Sequence, residues 1–160
     1  MQIAIDPLDG TEIVALLREH LEEMRRISPP ESVHALDLAR LRASDITFWS
    51  AREGGALVGC AALREIDGWH GEIKSMRTAA AHRRRGVAEA LLRQVIDEAV
   101  QRGYRRLSLE TGTQPQFAPA RALYARFGFQ YCAPFGSYRE DPCSAFMTRA
   151  LPPVSNENLQ

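Results

Sequence analysis

No stretch of this chain approaches the ~18 consecutive apolar residues that a membrane-spanning helix needs. Residues 1–6 read as a strand, not as a signal peptide. Charge of one sign is also lacking, because 20 Lys+Arg balance 20 Asp+Glu. Nucleic-acid binding rests on an excess of cations, so bulk electrostatics points to neither that partner nor a membrane surface. Cysteine is scarce: Cys60, Cys132 and Cys143 are odd in number and far apart. That excludes a disulfide framework and fits free thiols in a reducing cytoplasm. Cysteine and histidine show no metal-ligand spacing, so no metal is expected. There is no Gly-x-x-x-x-Gly-Lys-Ser/Thr, which excludes a P-loop, and Gly86 is the only glycine between Gly71 and Gly103, which excludes the three-glycine dinucleotide fingerprint.

What the chain does have is a strand, an arginine-rich turn and an amphipathic helix in succession over residues 72–92. The first amides of a helix lack intrahelical acceptors, and the helix dipole adds partial positive charge there. Gly86 removes a side chain where a ligand's oxygens must come close. Arg83, Arg84 and Arg85 supply formal charge, and the whole suits a phosphate or pyrophosphate. An ordinary basic strand-to-helix turn is the plainer alternative. The six residues Arg83-x-x-Gly86-x-Ala88, followed downstream by Leu123-Tyr124-x-x-x-Gly128-Phe129, resemble the GNAT (GCN5-related) N-acetyltransferase family in residue types and in order. The resemblance covers roughly residues 1–150.

Hydrophobic periodicity gives the order β-αα-βββ-α-β-α-ββ. Strands are expected at residues 2–6, 46–52, 56–66, 72–78, 105–110, around 129–132 and at 144–151. Helices are expected from Asp9 or Thr11 to about Ile27, over residues 30–41, from Gly86 to about Gly103, and from Pro119 to Phe127. This is an α/β fold with a central mixed sheet of about seven strands flanked by about four helices. The resemblance implies the same thing, an acyl-CoA N-acyltransferase fold. A single domain over residues 1–151 is expected, with a disordered polar tail at 152–160.

Acetyl transfer from a thioester to an amine requires the carbonyl to be polarised, the amine to lose a proton and the thiolate to gain one. The resemblance implies acetyl-CoA as co-substrate, with Arg83, Arg84, Arg85, Gly86, Val87 and Ala88 around its pyrophosphate. It further implies a bulge that splays two parallel strands, and backbone contacts from Met76 and Thr78 to the pantetheine arm, one of which polarises the carbonyl. Tyr124 is the candidate general acid by its match to the family tyrosine; the alternative is a core tyrosine. The place of Glu72, 14 residues before Gly86, resembles that of the catalytic glutamate in the histone-acetyltransferase branch of the family and makes it the first candidate base; Glu110 at the end of the next strand is the second. One departure stands out: the family's frequent asparagine seven residues before the tyrosine is Phe117 here, which removes a side-chain hydrogen bond to the cofactor.

The resemblance implies an acceptor site between residues 27–34 and the loop 133–143. The mixed charge and aromatic residue of that loop suit a small polar amine, one with a carboxylate being held by an arginine such as Arg77 or Arg139, and a solvated surface loop is the plainer alternative. Trp69 and His70 either border that cleft or anchor their turn. Two rival functions stand beside a small-molecule N-acetyltransferase: a protein lysine or N-terminal acetyltransferase, and a non-catalytic acyl-CoA-binding module. An exposed edge of the last strand could pair two copies into a homodimer.

Overall fold

The computed structural model describes residues 1–34 and 37–154. In chain order it contains β1 (Gln2–Ile5), α1 (Thr11–Ile27), α2 (Leu38–Leu41), β2 (Ile46–Glu53), β3 (Ala56–Asp67), β4 (His70–Thr78), α3 (Val87–Gln101), β5 (Arg106–Gly112), α4 (Ala118–Arg126), β6 (Gln130–Tyr131) and β7 (Ser144–Ala150). The strands form one seven-stranded sheet in the order β1-β2-β3-β4-β5-β7-β6. The β4–β5 pair is parallel and the others are antiparallel. This is the mixed α/β sheet with four helices expected from the periodicity.

Alternating side chains give the sheet two covered faces. On one, Leu63, Ile73, Leu107, Leu109 and Met147 pack with the apolar stripe of α3 and with Tyr124 and Phe129. On the other, Phe48, Cys60 and Ala62 pack with Ile13 and Leu16 of α1 and Leu41 of α2. Gly59 sets the height of α3 above the sheet. A Cβ there would lie 2.8 Å from both the Arg77 carbonyl oxygen and Val87 Cγ1, so only glycine lets the first turn of α3 sit directly on β3.

The segment expected as one helix over residues 30–41 is broken. Pro29-Pro30 opens a single 3-10 turn at Pro30–Ser32, Val33 is extended, and α2 begins only where the Asp37 carboxylate accepts from the Arg40 amide at 2.8 Å. Asp37 competes with helix continuation by capping a new helix instead. Leu36 of the expected helix lies outside the described residues, as do residues 155–160 of the expected tail. At the start of α1 the cap is Gly10, and neither Asp9 nor Thr11 caps it with a side chain. The last strand is not an edge: β7 lies between β5 and β6, so the sheet ends at β1 and β6. Among the described residues no helix is long and apolar enough to cross a membrane.

The sheet is interrupted at one place. β4 and β5 pair only from His70↔Arg106 to Ile73↔Leu109. Beyond that, four residues of β4 (Lys74 to Arg77) answer three of β3 (Ala62 to Cys60), and Ser75 takes a left-handed φ of 53°. An extra residue bends and twists the strand that carries it. β4 therefore turns away from β5 and opens a cleft between them.

Candidate active site

One wall of the cleft is main chain. Residues 74–78 keep their ladder to β3, but on the side toward β5 they have no strand partner. Alternate N–H and C=O groups in a strand point to opposite edges, so about half of them face the gap. The chain then passes through a 3-10 turn at Ala80–His82 into α3. Arg84 and Gly86 take φ of 65° and 81°, and no side chain caps the helix, so its first amides are left for a ligand. A Cβ on Gly86 would meet nothing within 4 Å, so packing does not demand glycine there; the left-handed φ and the open approach do. Arg83, Arg84 and Arg85 are exposed around this turn, Arg83 lying 3.6 Å from Glu23 of α1. Val87 is buried beneath the turn and Ala88 half-buried beside it.

The floor and far wall carry the titratable groups. Met76, Glu72, Glu110 and Tyr124 line the same cleft, whose interior holds about 140 Å³. Tyr124 is buried, its ring edge-on to Phe129 at 5.9 Å. Burial, and the nearby charge of Glu110, push its phenol well above the ordinary range, so it stays protonated and can donate. Burial also raises the Glu110 carboxyl to about 7, and the charge of Glu72 adds to this against the pull of Lys74. Phe117, at the family's asparagine position, lies so close over Gly112 that a Cβ there would sit 2.2 Å from the ring. The ring borders the cleft.

Glu72 is only 1% exposed, yet fully partnered. It accepts from Arg64 Nη1 at 3.0 Å, from the Tyr138 hydroxyl at 2.6 Å and from Lys74 Nζ at 3.3 Å. Lys74 also donates to the Tyr138 oxygen at 2.8 Å. Tyr138 stands edge-on to His34 at 5.1 Å and to Phe135 at 5.2 Å. The two segments flanking this end are tied across the opening by Ser32 Oγ, which donates to Asp141 Oδ2 at 2.5 Å. Gln114 adds a second tie, donating to Ser28 Oγ at 3.2 Å. His20 of α1 also borders the cleft; burial, then Arg77, hold its imidazole down at about 4, so it is neutral at pH 7.

Of the residues singled out in the sequence, Glu72, Met76, Glu110, Phe117 and Tyr124 come together, and Thr78 continues the same free rim toward the turn of Arg83 to Ala88. Arg77 and Arg139 do not serve the cleft as a carboxylate clamp. Arg77 is buried against Glu19 and Glu23 of α1, while Arg139 is exposed and lines a neighbouring pocket with Glu31 and His34. Trp69 is half-exposed in its turn and stacked on His70, which opens β4 and whose Nε2 shares a 2.7 Å hydrogen bond with Ser108; neither lines the cleft. Sequence reasoning passed over Lys74, Arg64 and His20. The available signal for Lys74 was its place two residues after Glu72, which puts both on one face of β4.

The profile of the acetyltransferase (GNAT) family matches residues 13–129. A Bacillus subtilis (strain 168) protein described as the uncharacterized N-acetyltransferase YsnE is 60% identical over 94% of this chain and 100% of its own length. The Escherichia coli (strain K12) protein described as the uncharacterized N-acetyltransferase YedL is 48% identical over 93% of this chain and 94% of its own. Among solved structures, a Klebsiella pneumoniae protein provisionally named an acyl-CoA N-acyltransferase superposes with a TM-score of 0.78 at 30% identity, covering 94% of this chain and 97% of that one. With a forked parallel strand pair leading to an uncapped helix N-terminus, and with relatives of this closeness, the chain belongs to the GNAT family and is an acetyl-CoA-dependent N-acetyltransferase.

Proposed function

We propose that the acceptor is the primary amine of a small molecule, attacked directly while acetyl-CoA and amine share the cleft. The observation that carries this reading is a titratable pair in one small, tied-over cavity: Glu110, its carboxyl near neutrality, and Tyr124, its phenol held protonated. The Ser32–Asp141 tie across the opening favours a compact acceptor over an extended peptide.

Bound acetyl-CoA supplies the acetyl thioester at the fork of β4 and β5. The chain's own groups do the rest. The amides at Gly86, Val87 and Ala88, with the charges of Arg83, Arg84 and Arg85, hold the pyrophosphate. The rim at Met76 and Thr78 hydrogen-bonds the pantetheine arm, and an amide of this rim polarises the thioester carbonyl. A free alkylamine has a pKa of about 10.4, so at pH 7 almost all of it is protonated. Glu110 takes that proton, its carboxyl tuned close to working pH. Tyr124 gives a proton to the departing thiolate. Glu72, already partnered by Arg64, Lys74 and Tyr138, acts as a positioning residue that fixes the acceptor wall.

The test is calorimetric titration with acetyl-CoA, followed by a thiol-release screen of small amines beside lysine-bearing peptides. Turnover of small amines that Tyr124→Phe slows by about 10²-fold, with acetyl-CoA affinity unchanged, is the expected result. Acetylation of peptides alone would assign the acceptor to protein instead.

A further inference from the structure

Of the 20 Lys+Arg side chains, Lys74 is the only lysine in the chain, and it is the one that borders the cleft. Its side chain is 7% exposed. An ammonium carries three donors on a compact head, whereas a guanidinium is a wide planar fork that needs more room. Two of those donors are used, toward the Tyr138 hydroxyl at 2.8 Å and Glu72 Oε2 at 3.3 Å. The third has no acceptor among the described residues.

Charge is unbalanced at this spot. Two cations, Arg64 and Lys74, share the single buried carboxylate of Glu72, and Arg64 holds the shorter contact, 3.0 Å against 3.3 Å. Arg64 also lies 3.6 Å from Asp45, but Asp45 is already paired with Arg40 at 2.6 Å. Glu110 compensates Lys74 only in part: burial raises its carboxyl to about 7, and the proton it takes from the amine neutralises it. Burial and then Lys74 lower the pKa of His34 beside Tyr138. A buried cation without full compensation is costly, and an incoming anion relieves that cost.

We infer that Lys74 is a specificity residue that binds an anionic group on the acceptor, so that the substrate is an amine carrying a carboxylate or phosphate-like group a few bonds from the nitrogen. The nitrogen faces Glu110 and the anion faces the third Lys74 donor, with Tyr138 holding the ammonium in place. This rests on the small-amine reading above and narrows it to amino acids and their phosphonate analogues.

The experiment compares wild-type thiol-release rates for the twenty common amino acids, each beside its α-amide and its decarboxylated amine, with aminoalkylphosphonates as a further arm. The expected result is a preference in kcat/KM of about 10- to 100-fold for the acceptor that keeps its anion, the range for one charge-assisted hydrogen bond in a closed site. A faster phosphonate would assign the anion as phosphate-like, and a faster carboxylate as amino-acid-like; both support the inference. In Lys74→Met the preference should fall to near one through KM, while acetyl-CoA affinity holds. Amides or decarboxylated amines acetylated as fast as their parents would overturn the role of Lys74 and leave the transferase reading intact. No turnover with any small amine, while peptides are acetylated, would overturn both. The wild-type arms decide the matter even if the variant does not fold.

Discussion

The side of the cleft proposed for the cofactor and the side proposed for the acceptor are made of different material. Along residues 74–88 the surface offered to a ligand is main chain: a strand rim without a partner, three left-handed residues and the bare start of α3. Across the cleft the surface is side chains brought from afar, with Ser32 reaching Asp141 over 109 positions and Tyr138 reaching Glu72 over 66. A main-chain site recognises what every acetyl-CoA shares and tolerates sequence change. A side-chain site sets which amine is taken, and a single substitution can rewrite it.

Substitutions on the two sides should therefore separate cleanly. The largest effect belongs to Glu110→Gln, expected to lower kcat/KM by about 10² to 10⁴ and to abolish a rise in rate centred near pH 7, with acetyl-CoA affinity unchanged. Stability should move the other way. Burial raises this carboxyl from 4.5 to about 7, so the folded state keeps a proton that the unfolded chain loses. The stability this contributes is full below pH 4.5 and is lost as pH rises through 7. Denaturant titrations at pH 4 and pH 8 should show the variant gaining about 2–3 kcal/mol on wild type across that interval.

Gly86→Asp comes next. A carboxylate facing the pyrophosphate position, on a residue with φ of 81°, should weaken acetyl-CoA by more than about 100-fold in calorimetry. The fold should survive, since the new Cβ meets nothing within 4 Å and the left-handed strain is about 1–2 kcal/mol. Tyr138→Phe tests the other side. Losing one hydroxyl leaves Glu72 and Lys74 each short of a partner, with an expected cost of about 1–3 kcal/mol and a roughly 10-fold rise in acceptor KM. Should Tyr138→Phe weaken acetyl-CoA as Gly86→Asp does, the two sides are not separable. The smallest effect is Ser32→Ala, which unties the opening at a cost of about 1 kcal/mol and changes acceptor KM by only a few-fold.

This division of material also decided what could be read from residue order alone. The strand and helix order was legible because periods of 2 and 3.6 are local. The turn at Gly86 was legible because its arginines, glycine and helix start are consecutive. The acceptor side was not. Nothing in the local pattern of residues 30–41 says that Asp37 will cap a new helix, or that Ser32 will meet Asp141. Residue order put Glu72 ahead of Glu110 as the base, and the proposed mechanism reverses them. Their difference lies in partners, three for Glu72 against burial for Glu110, and partners are a property of the folded chain. Phe117 was equally undecidable until its ring was placed over Gly112.

The short parallel pairing of β4 and β5 has a consequence for the protein in motion. Four matched positions hold the two strands, and past Ile73 and Leu109 their facing edges are unpaired like the two sides of an open zip. On the proposed reading acetyl-CoA lies along that opening bonded as a strand would be, so that each catalytic cycle closes and reopens part of the architecture itself. Amide hydrogen exchange at residues 74–78 should consequently slow when acetyl-CoA is present and quicken on its release, which makes the backbone of this segment a running record of occupancy.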